Sequence, residues 1–211
     1  MLISVRQEES KEKGEIYYFG EINPLNNLRN GFGVEIQHWI DSSDDSDQLN
    51  DSEIKASSEK NWITICYWEN GKKQGLGYQL KEFINEQSDE SYLSEMKGGW
   101  VDDKKEEEWK IKKYKLIWSG SGNTRGWKII SSFTGKYKYD KWNGFGEETI
   151  YDPNAYPKMQ YFAKWKGIKK DGFGILIHKN LNWVLLGRFK DNKLDGSVLK
   201  FDDENARVGE L

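Results

Sequence analysis

The chain has 211 residues, enough for one domain or two very small ones. Hydrophobic residues make up 36% of it and charged residues 32%, and a mean hydropathy of −0.88 argues against a thick aliphatic core. Its 10 Trp, 11 Tyr and 9 Phe can nevertheless fill a thin layer. The net charge of −3 argues against nucleic acid as a partner, because neutralising phosphates requires an excess of Lys and Arg.

Cysteine usage and apolar runs indicate an intracellular protein. Cys66 is the only cysteine, so no internal disulfide can form and a reducing, cytoplasmic compartment is expected. No apolar run approaches the roughly 20 residues that a membrane span requires. The charge of Arg6 comes too early for the apolar region of a signal peptide.

The first third of the chain predicts short strands and a long polar insertion. Residues 2–7 and 15–20 have the composition of strands, and Gly20 opens a stretched repeat that closes with Gly-Phe-Gly at residues 31–33. Residues 41–60 carry a block of negative charge and few apolar side chains, so we predict a flexible acidic insertion there. An acidic docking or phosphorylation site is the alternative interpretation of this segment.

Two further copies of the repeat follow, one regular and one degenerate. In the regular copy Cys66 takes the small position, Trp68 the aromatic position, and residues 75–77 supply the glycine pair. The degenerate copy opens at Gly98 and has Glu107 where a glycine is expected.

The clearest periodicity lies between residues 133 and 201. A small residue, an aromatic two positions later and a glycine nine positions after the small residue recur there three times. Gly135, Ala163 and Gly187 take the small position, 28 and 24 residues apart, which is the spacing of a repeat architecture. Alternation places small and aromatic residues on one face of each strand and charged residues on the other. We therefore predict one antiparallel hairpin per copy, with glycines that leave room for rings from neighbouring copies. Residues 207–211 would begin a seventh copy.

These copies resemble the MORN (membrane occupation and recognition nexus) repeat, in which an aromatic, a spacer and Gly precede an aromatic and Gly-x-Gly. The copies start near residues 18, 64, 96, 133, 161 and 185, with the partial copy at 207–211. Residues that replace a glycine of the pattern are Cys66, Glu107, Ala163 and Ser197. The resemblance implies an all-β fold: a single array over residues 1–211, forming an elongated, twisted, single-layer antiparallel sheet of stacked hairpins. It also implies no catalytic centre, and we expect no cofactor and no metal.

The function that the resemblance implies is that of a scaffold or adaptor, often in a cytoskeletal or ciliary assembly. Such a protein would hold a protein partner, for example an amphipathic helix, along a groove lined by aromatic rings. The candidate partner-binding residues are the recurring aromatics Trp68, Trp100, Tyr137, Phe145, Trp165, Phe173 and Phe189. The competing interpretation is that these rings only fill the core between hairpins.

Other functions stay open from the sequence. Residues 158–170 and 109–115 mix lysines with aromatics, as a module for anionic membranes would, although alternation also places such lysines on a solvated strand face. An enzyme is the weakest interpretation, because His38 and His178 are 140 residues apart and Cys66 occupies a repeat position. A regulatory segment of a larger enzyme and a carbohydrate-binding aromatic row are further alternatives.

Overall fold

The structure is a computed structural model that describes residues 3–9, 14–40, 57–85, 88, 90–118, 125–167, 169–202 and 206–210. Within these ranges the chain forms 14 strands and no helix. The strands are Ile3–Glu9 (β1), Gly14–Ile22 (β2), Arg29–Ile40 (β3), Ser57–Glu69 (β4), Lys72–Asn85 (β5), Glu90–Val101 (β6), Lys104–Trp118 (β7), Arg125–Lys138 (β8), Lys141–Tyr151 (β9), Pro157–Lys166 (β10), Lys169–His178 (β11), Trp183–Lys190 (β12), Lys193–Phe201 (β13) and Ala206–Glu210 (β14).

All 14 strands lie in one open, twisted sheet, in the order of the sequence, and every neighbouring pair is antiparallel. At about 4.8 Å per strand, the sheet is about 60 Å across. Six hairpins, from β2–β3 to β12–β13, coincide with the six copies of the repeat. The predicted all-β sheet of stacked hairpins is confirmed. So wide a sheet is stable because each hairpin packs against neighbours built on the same pattern.

The acidic insertion is shorter than predicted at its C-terminal end. Because β4 begins at Ser57, the assignment of residues 57–60 to the insertion is wrong. The rest of that prediction, residues 41–56, lies outside the described residues. At the other end of the chain, Gly209 pairs with Val198, so β14 takes the position of a first strand in a seventh copy.

Every hairpin has a β-bulge at the same place, and in five of the six hairpins a glycine adopts a left-handed conformation there. The φ angles are +95° at Gly31, +68° at Gly75, +90° at Gly144, +123° at Gly172 and +79° at Gly196. The pairing register shifts at each of these positions. A bulge of this kind favours glycine because a residue with a Cβ is strained by its own backbone in the left-handed region.

The degenerate copy keeps this geometry without the glycine. Glu107 has a φ of +62°, and the register between β6 and β7 shifts beside it. The third copy therefore has the backbone of the other five, and Glu107 bears the conformational strain that glycine avoids elsewhere.

Tight turns close the hairpins and join each copy to the one before it. Both central residues of the turns Asp102–Asp103 and Tyr139–Asp140 have positive φ, as type I′ turns require. The Asp103 N–H donates to the Lys73 carbonyl at 3.1 Å, and the Lys73 N–H donates to the Asp103 carboxylate at 2.9 Å. The same reciprocal pair joins Asp140 to Lys105 and Asn192 to Lys170. These bonds fix the distance between successive copies.

The core lies on one face of the sheet, where aromatic rings rest on glycine backbone. A Cβ added to Gly98 would lie 2.2 Å from the Trp109 ring, and one added to Gly77 would lie 2.6 Å from the Trp100 ring. Gly174 faces Phe189 of the next copy at 2.9 Å in the same way. The prediction that glycines make room for rings of a neighbouring copy is confirmed at two positions, Gly77 and Gly174. The ring comes from the following copy at Gly77 and Gly174 and from the same hairpin at Gly98.

The bulge predicts that Glu107→Gly stabilises the protein. Removing the left-handed strain should raise the free energy of unfolding by about 1 kcal/mol, and the midpoint of guanidinium denaturation should rise accordingly. The reverse change, Gly144→Ala, should lower it by about 1 kcal/mol through conformation alone. An added Cβ at Gly144 meets no atom within 4 Å, so no clash contributes.

The neighbouring position provides the control for this pair. Glu108 lies next in β7 and has no positive φ, so Glu108→Gly should destabilise the strand instead. A denaturation midpoint that falls for Glu107→Gly would contradict the assignment of strain to residue 107.

Candidate interaction surface

The sheet has two faces with different chemistry. The core face carries the buried apolar side chains Tyr18, Cys66, Trp68, Met96, Trp100, Trp109, Ile111, Phe133, Ala163, Trp165, Leu176 and Phe189. The open face carries the side chains that alternate with these along the strands. It includes exposed large apolar residues, such as Phe32, Leu76, Phe145 and Phe173.

The structure divides the seven predicted partner-binding residues between the two faces. On the core face, Trp68, Trp100, Trp165 and Phe189 are each at most 3% exposed. Tyr137 is partly buried and packs against the same core cluster. On the open face, Phe145 is 70% exposed and Phe173 is 74% exposed. Only these two of the seven present a large ring surface to solvent.

The buried rings are held by edge-to-face contacts with one another. Trp100 and Trp109 have centroids 4.6 Å apart at 89°, and Trp165 meets Trp142 at 4.8 Å and 79°. Trp165 also contacts Phe133, with centroids 5.3 Å apart. Such pairs are favourable beyond the area that they bury. The core interpretation therefore accounts for the recurring Trp positions.

Cations two positions before the first glycine cover these rings. Arg29 lies over Tyr18 and Trp68 with its Cζ 4.7 and 4.6 Å from the two centroids. The Nζ of Lys170 lies 4.5 Å from the Trp165 centroid. Lys73 and Lys105 take the same position over Trp68 and Trp109 in their copies. These four cations were not among the predicted site residues, although a cation recurs at that position in four of the six copies.

Carboxylates on the core face compensate part of this positive charge. Glu35 is buried, forms an ion pair with Arg29, and lies 3.2 Å from the Lys73 Nζ. Glu148 lies 2.6 Å from the Lys170 Nζ, beside a small cavity of about 80 Å³ that Phe133 also lines. Each charge stays in a paired, low-dielectric setting, which is how buried charges are tolerated.

The open face has a recurring exposed residue between the two glycines of each pair. It is Phe32 in the first copy and Leu76 in the second, which are 60% and 84% exposed. Phe145 and Phe173 occupy the same position in the fourth and fifth copies, and Glu108 occupies it in the third. Phe32 and Leu76 were missed as candidates, although the Gly-x-Gly spacing alone marks them as equivalent to Phe145 and Phe173.

In the C-terminal half of the sheet, cations alternate with these exposed rings. The five side chains, one from each of β8 to β12, are Lys136, Phe145, Lys164, Phe173 and Arg188, and we call them the basic–aromatic row. Phe145 lies opposite Lys164, and Phe173 lies opposite Arg188. All five are exposed. The row therefore offers large apolar contacts and positive charge within one surface.

Groups with catalytic potential are sparse in the described chain. Cys66 is fully buried, and burial raises the pKa of its thiol from 9.0 to about 12, so the nucleophilic thiolate does not form at neutral pH. His178 packs against Trp183, with the two rings tilted by 39°, and its Nδ1 accepts a hydrogen bond from the Leu181 N–H. No group of three His, Cys, Asp or Glu side chains among the described residues could hold a metal ion. The described residues also contain no helix that could cross a membrane.

No family model matches this chain, and no curated protein sequence matches it.

The two faces predict opposite results for two aromatic truncations. Trp165→Ala removes a fully packed ring and should lower the free energy of unfolding by about 3 kcal/mol or more. Phe145→Ala removes an exposed ring and should change it by less than about 0.5 kcal/mol. Guanidinium denaturation followed by tryptophan fluorescence and circular dichroism measures both. Equal effects would contradict the division into a core face and an open face.

The buried thiol makes a second prediction. Cys66 in the folded protein should resist a thiol reagent such as DTNB and react once the chain is unfolded, because the thiol is covered and protonated. Rapid DTNB labelling of the native protein would contradict the burial of Cys66.

The raised pKa of Cys66 also predicts a pH dependence of stability. The unfolded thiol ionises at about pH 9 and the folded thiol only near pH 12, so its contribution is fully present below pH 9 and is lost as pH rises toward 12. The loss should be at most about 1.4 kcal/mol per pH unit. Cys66→Ala, which places here the residue found at the equivalent Ala163, should lack this component.

Proposed function

We propose that this protein is a non-enzymatic scaffold that binds a protein partner through the open face of its sheet. The observation that carries the proposal is the recurrence of an exposed large apolar side chain at the same position of four copies. Exposed apolar surface of this kind marks interaction sites. A rigid array that repeats its contact residue at a fixed interval is suited to an extended partner.

The partner would bind to the open face of the sheet, not to the aromatic groove that the repeat resemblance implies. The rings of the core face already contact one another and are covered by Arg29, Lys73, Lys105 and Lys170. A partner there would have to displace these cations and expose the core. Phe145 and Phe173 need no such rearrangement, because they are already accessible. They are the two members of the predicted set on which we base the binding role.

We further propose that the hairpins are MORN repeats and that the protein is a component of a larger cytoplasmic assembly, cytoskeletal or ciliary. The support is the repeat pattern, which recurs in six copies and has Gly-x-Gly in four of them, and the single hairpin that each copy forms.

Binding to anionic phospholipid is a second candidate function, and the basic–aromatic row favours it. Exposed lysines near an anionic membrane contribute about 1 kcal/mol each. Exposed phenylalanines supply the apolar contacts. Against it, acidic side chains border the row at both ends, since Glu108 pairs with Lys136 and Asp195 pairs with Arg188.

Photo-cross-linking from defined positions tests the proposed function. A photoreactive phenylalanine analogue at Phe145 or Phe173, in the protein expressed in cells, should form covalent adducts with a discrete protein. The same analogue at Leu25 provides a matched control, because Leu25 is 95% exposed but lies in the loop between β2 and β3, away from the open-face positions.

Each outcome decides between the candidates. Protein adducts from Phe145 and Phe173, absent from Leu25, support the scaffold. Adducts with phospholipid alone favour the membrane function and overturn the scaffold. The absence of any adduct from the two open-face positions would also contradict a binding role for this surface.

A further inference from the structure

We propose that the basic–aromatic row binds an acidic amphipathic α-helix of the partner protein. This inference rests on the proposed scaffold function and adds the chemistry of the partner and the place where it binds. Its basis is the charge, the apolar surroundings and the spacing of the row.

Positive charge is concentrated at the row, although the whole chain carries a net charge of −3. Within the described part of the chain, Lys136, Lys164 and Arg188 form no ion pair. Toward the hairpin tips the same face adds the exposed cations Lys138, Lys141, Lys166, Lys190 and Lys193. A surface of this sign selects acidic partners and repels basic ones.

An apolar ladder lies beside the row, on the side away from the hairpin tips. Phe162 pairs with Ile175, Ile175 with Leu186, and Leu186 with Leu199, so four adjacent strands each contribute one apolar side chain. Phe162 is 37% exposed and Leu199 is 43% exposed. A segment that covers both features needs an apolar stripe with carboxylates along one edge. That pattern defines an acidic amphipathic helix.

The spacing of the row suits a helix that crosses the strands. Its three cations are two strands apart, about 9.6 Å, and residues seven apart on a helix are about 10.5 Å apart. One helical turn advances about 5.4 Å, close to the strand spacing of about 4.8 Å, so each turn would lie over one strand. An extended segment repeats its side chains on one side every 6.6 to 6.8 Å or so and fits neither interval.

The first two copies lack this charge pattern, which places the helix on the C-terminal half. There Phe32 lies opposite Tyr67, and Leu76 lies opposite Gly99, so no cation alternates with the exposed apolar residues. Contacts of the N-terminal half would be apolar and would not select an acidic segment.

A designed helix tests the inference on the full chain. The probe is a synthetic peptide of about 18 residues, with leucines in one heptad stripe and glutamates along one edge of that stripe. Two further peptides replace the glutamates with glutamine or with lysine. Fluorescence anisotropy should show binding that is strongest for the glutamate peptide. Raising the ionic strength from about 0.05 to about 0.5 M should weaken it by tenfold or more, roughly, because exposed charges are screened.

Charge reversal in the row provides the matched variants. Lys164→Glu with Arg188→Glu should raise the dissociation constant of the glutamate peptide by at least about tenfold. Lys97→Glu with Lys110→Glu makes the same change in net charge on the open face of the third copy, where these two lysines pair with each other. The control should leave peptide binding unchanged. Circular dichroism verifies that both double variants fold.

The outcomes separate this inference from the proposed function. Failure of the glutamate peptide to bind, equal binding of the glutamine peptide, or equal effects of the two double variants would overturn the acidic helix. Protein adducts from Phe145 that persist in the Lys164→Glu, Arg188→Glu variant would likewise overturn it, while the scaffold function would stand.

Vesicles of phosphatidylcholine and phosphatidylserine test the membrane alternative with the same variants. Binding to these vesicles with no binding of the glutamate peptide would overturn the inference in favour of anionic lipid.

Discussion

The fold depends on aromatic rings that rest on glycine backbone. On the core face a Cβ at Gly20 or Gly33 would come within 2.7 Å of the Tyr18 ring, and one at Gly135 would lie 2.4 Å from Phe133. The rings therefore need the glycines, because no other residue lets the backbone approach a ring so closely. The glycines in turn need the rings. A glycine within a strand has no side chain to pack, and the ring that lies on it supplies the missing contacts.

This constraint explains why so polar a chain folds as a single layer. Large rings bury much area per residue, and the rings of the hairpins form a thin core of two clusters on one face. The cations at Arg29, Lys73 and Lys170 seal that core, because their charged groups lie over the rings and pair with Glu35 and Glu148. A second layer of structure is then unnecessary to keep water from the rings.

Most of the fold could be predicted from the sequence, because its signals are local. A small residue, an aromatic and a glycine at fixed spacing specify each hairpin and its pairing with the next one. The degenerate copy adopts the same backbone conformation as the other copies, even though Glu107 replaces the glycine. The role of the lysines could not be predicted this way. Alternation alone does not show that a lysine covers a ring instead of facing solvent. That contact follows from the pairing register, in which Lys73 lies opposite Trp68 and Lys105 opposite Trp100. The reciprocal bonds of Asp103 and Asp140 also depend on the distance between copies, which a sequence pattern does not contain.

The candidate site was predicted less well for a physical reason. Alternation assigns the residues of a strand to two faces but does not show which face forms the buried core. Trp165 and Phe145 were therefore both predicted to bind a partner, although they lie on opposite faces of the sheet. The deciding information is the ring-on-glycine contact. A ring that has a glycine beneath it, as Trp100 has at Gly77, is committed to the core. The residue at the middle of the Gly-x-Gly position is exposed, so core packing constrains it little, and Phe145 and Glu108 occupy this position in different copies. Function is therefore best sought at the position that the fold does not use.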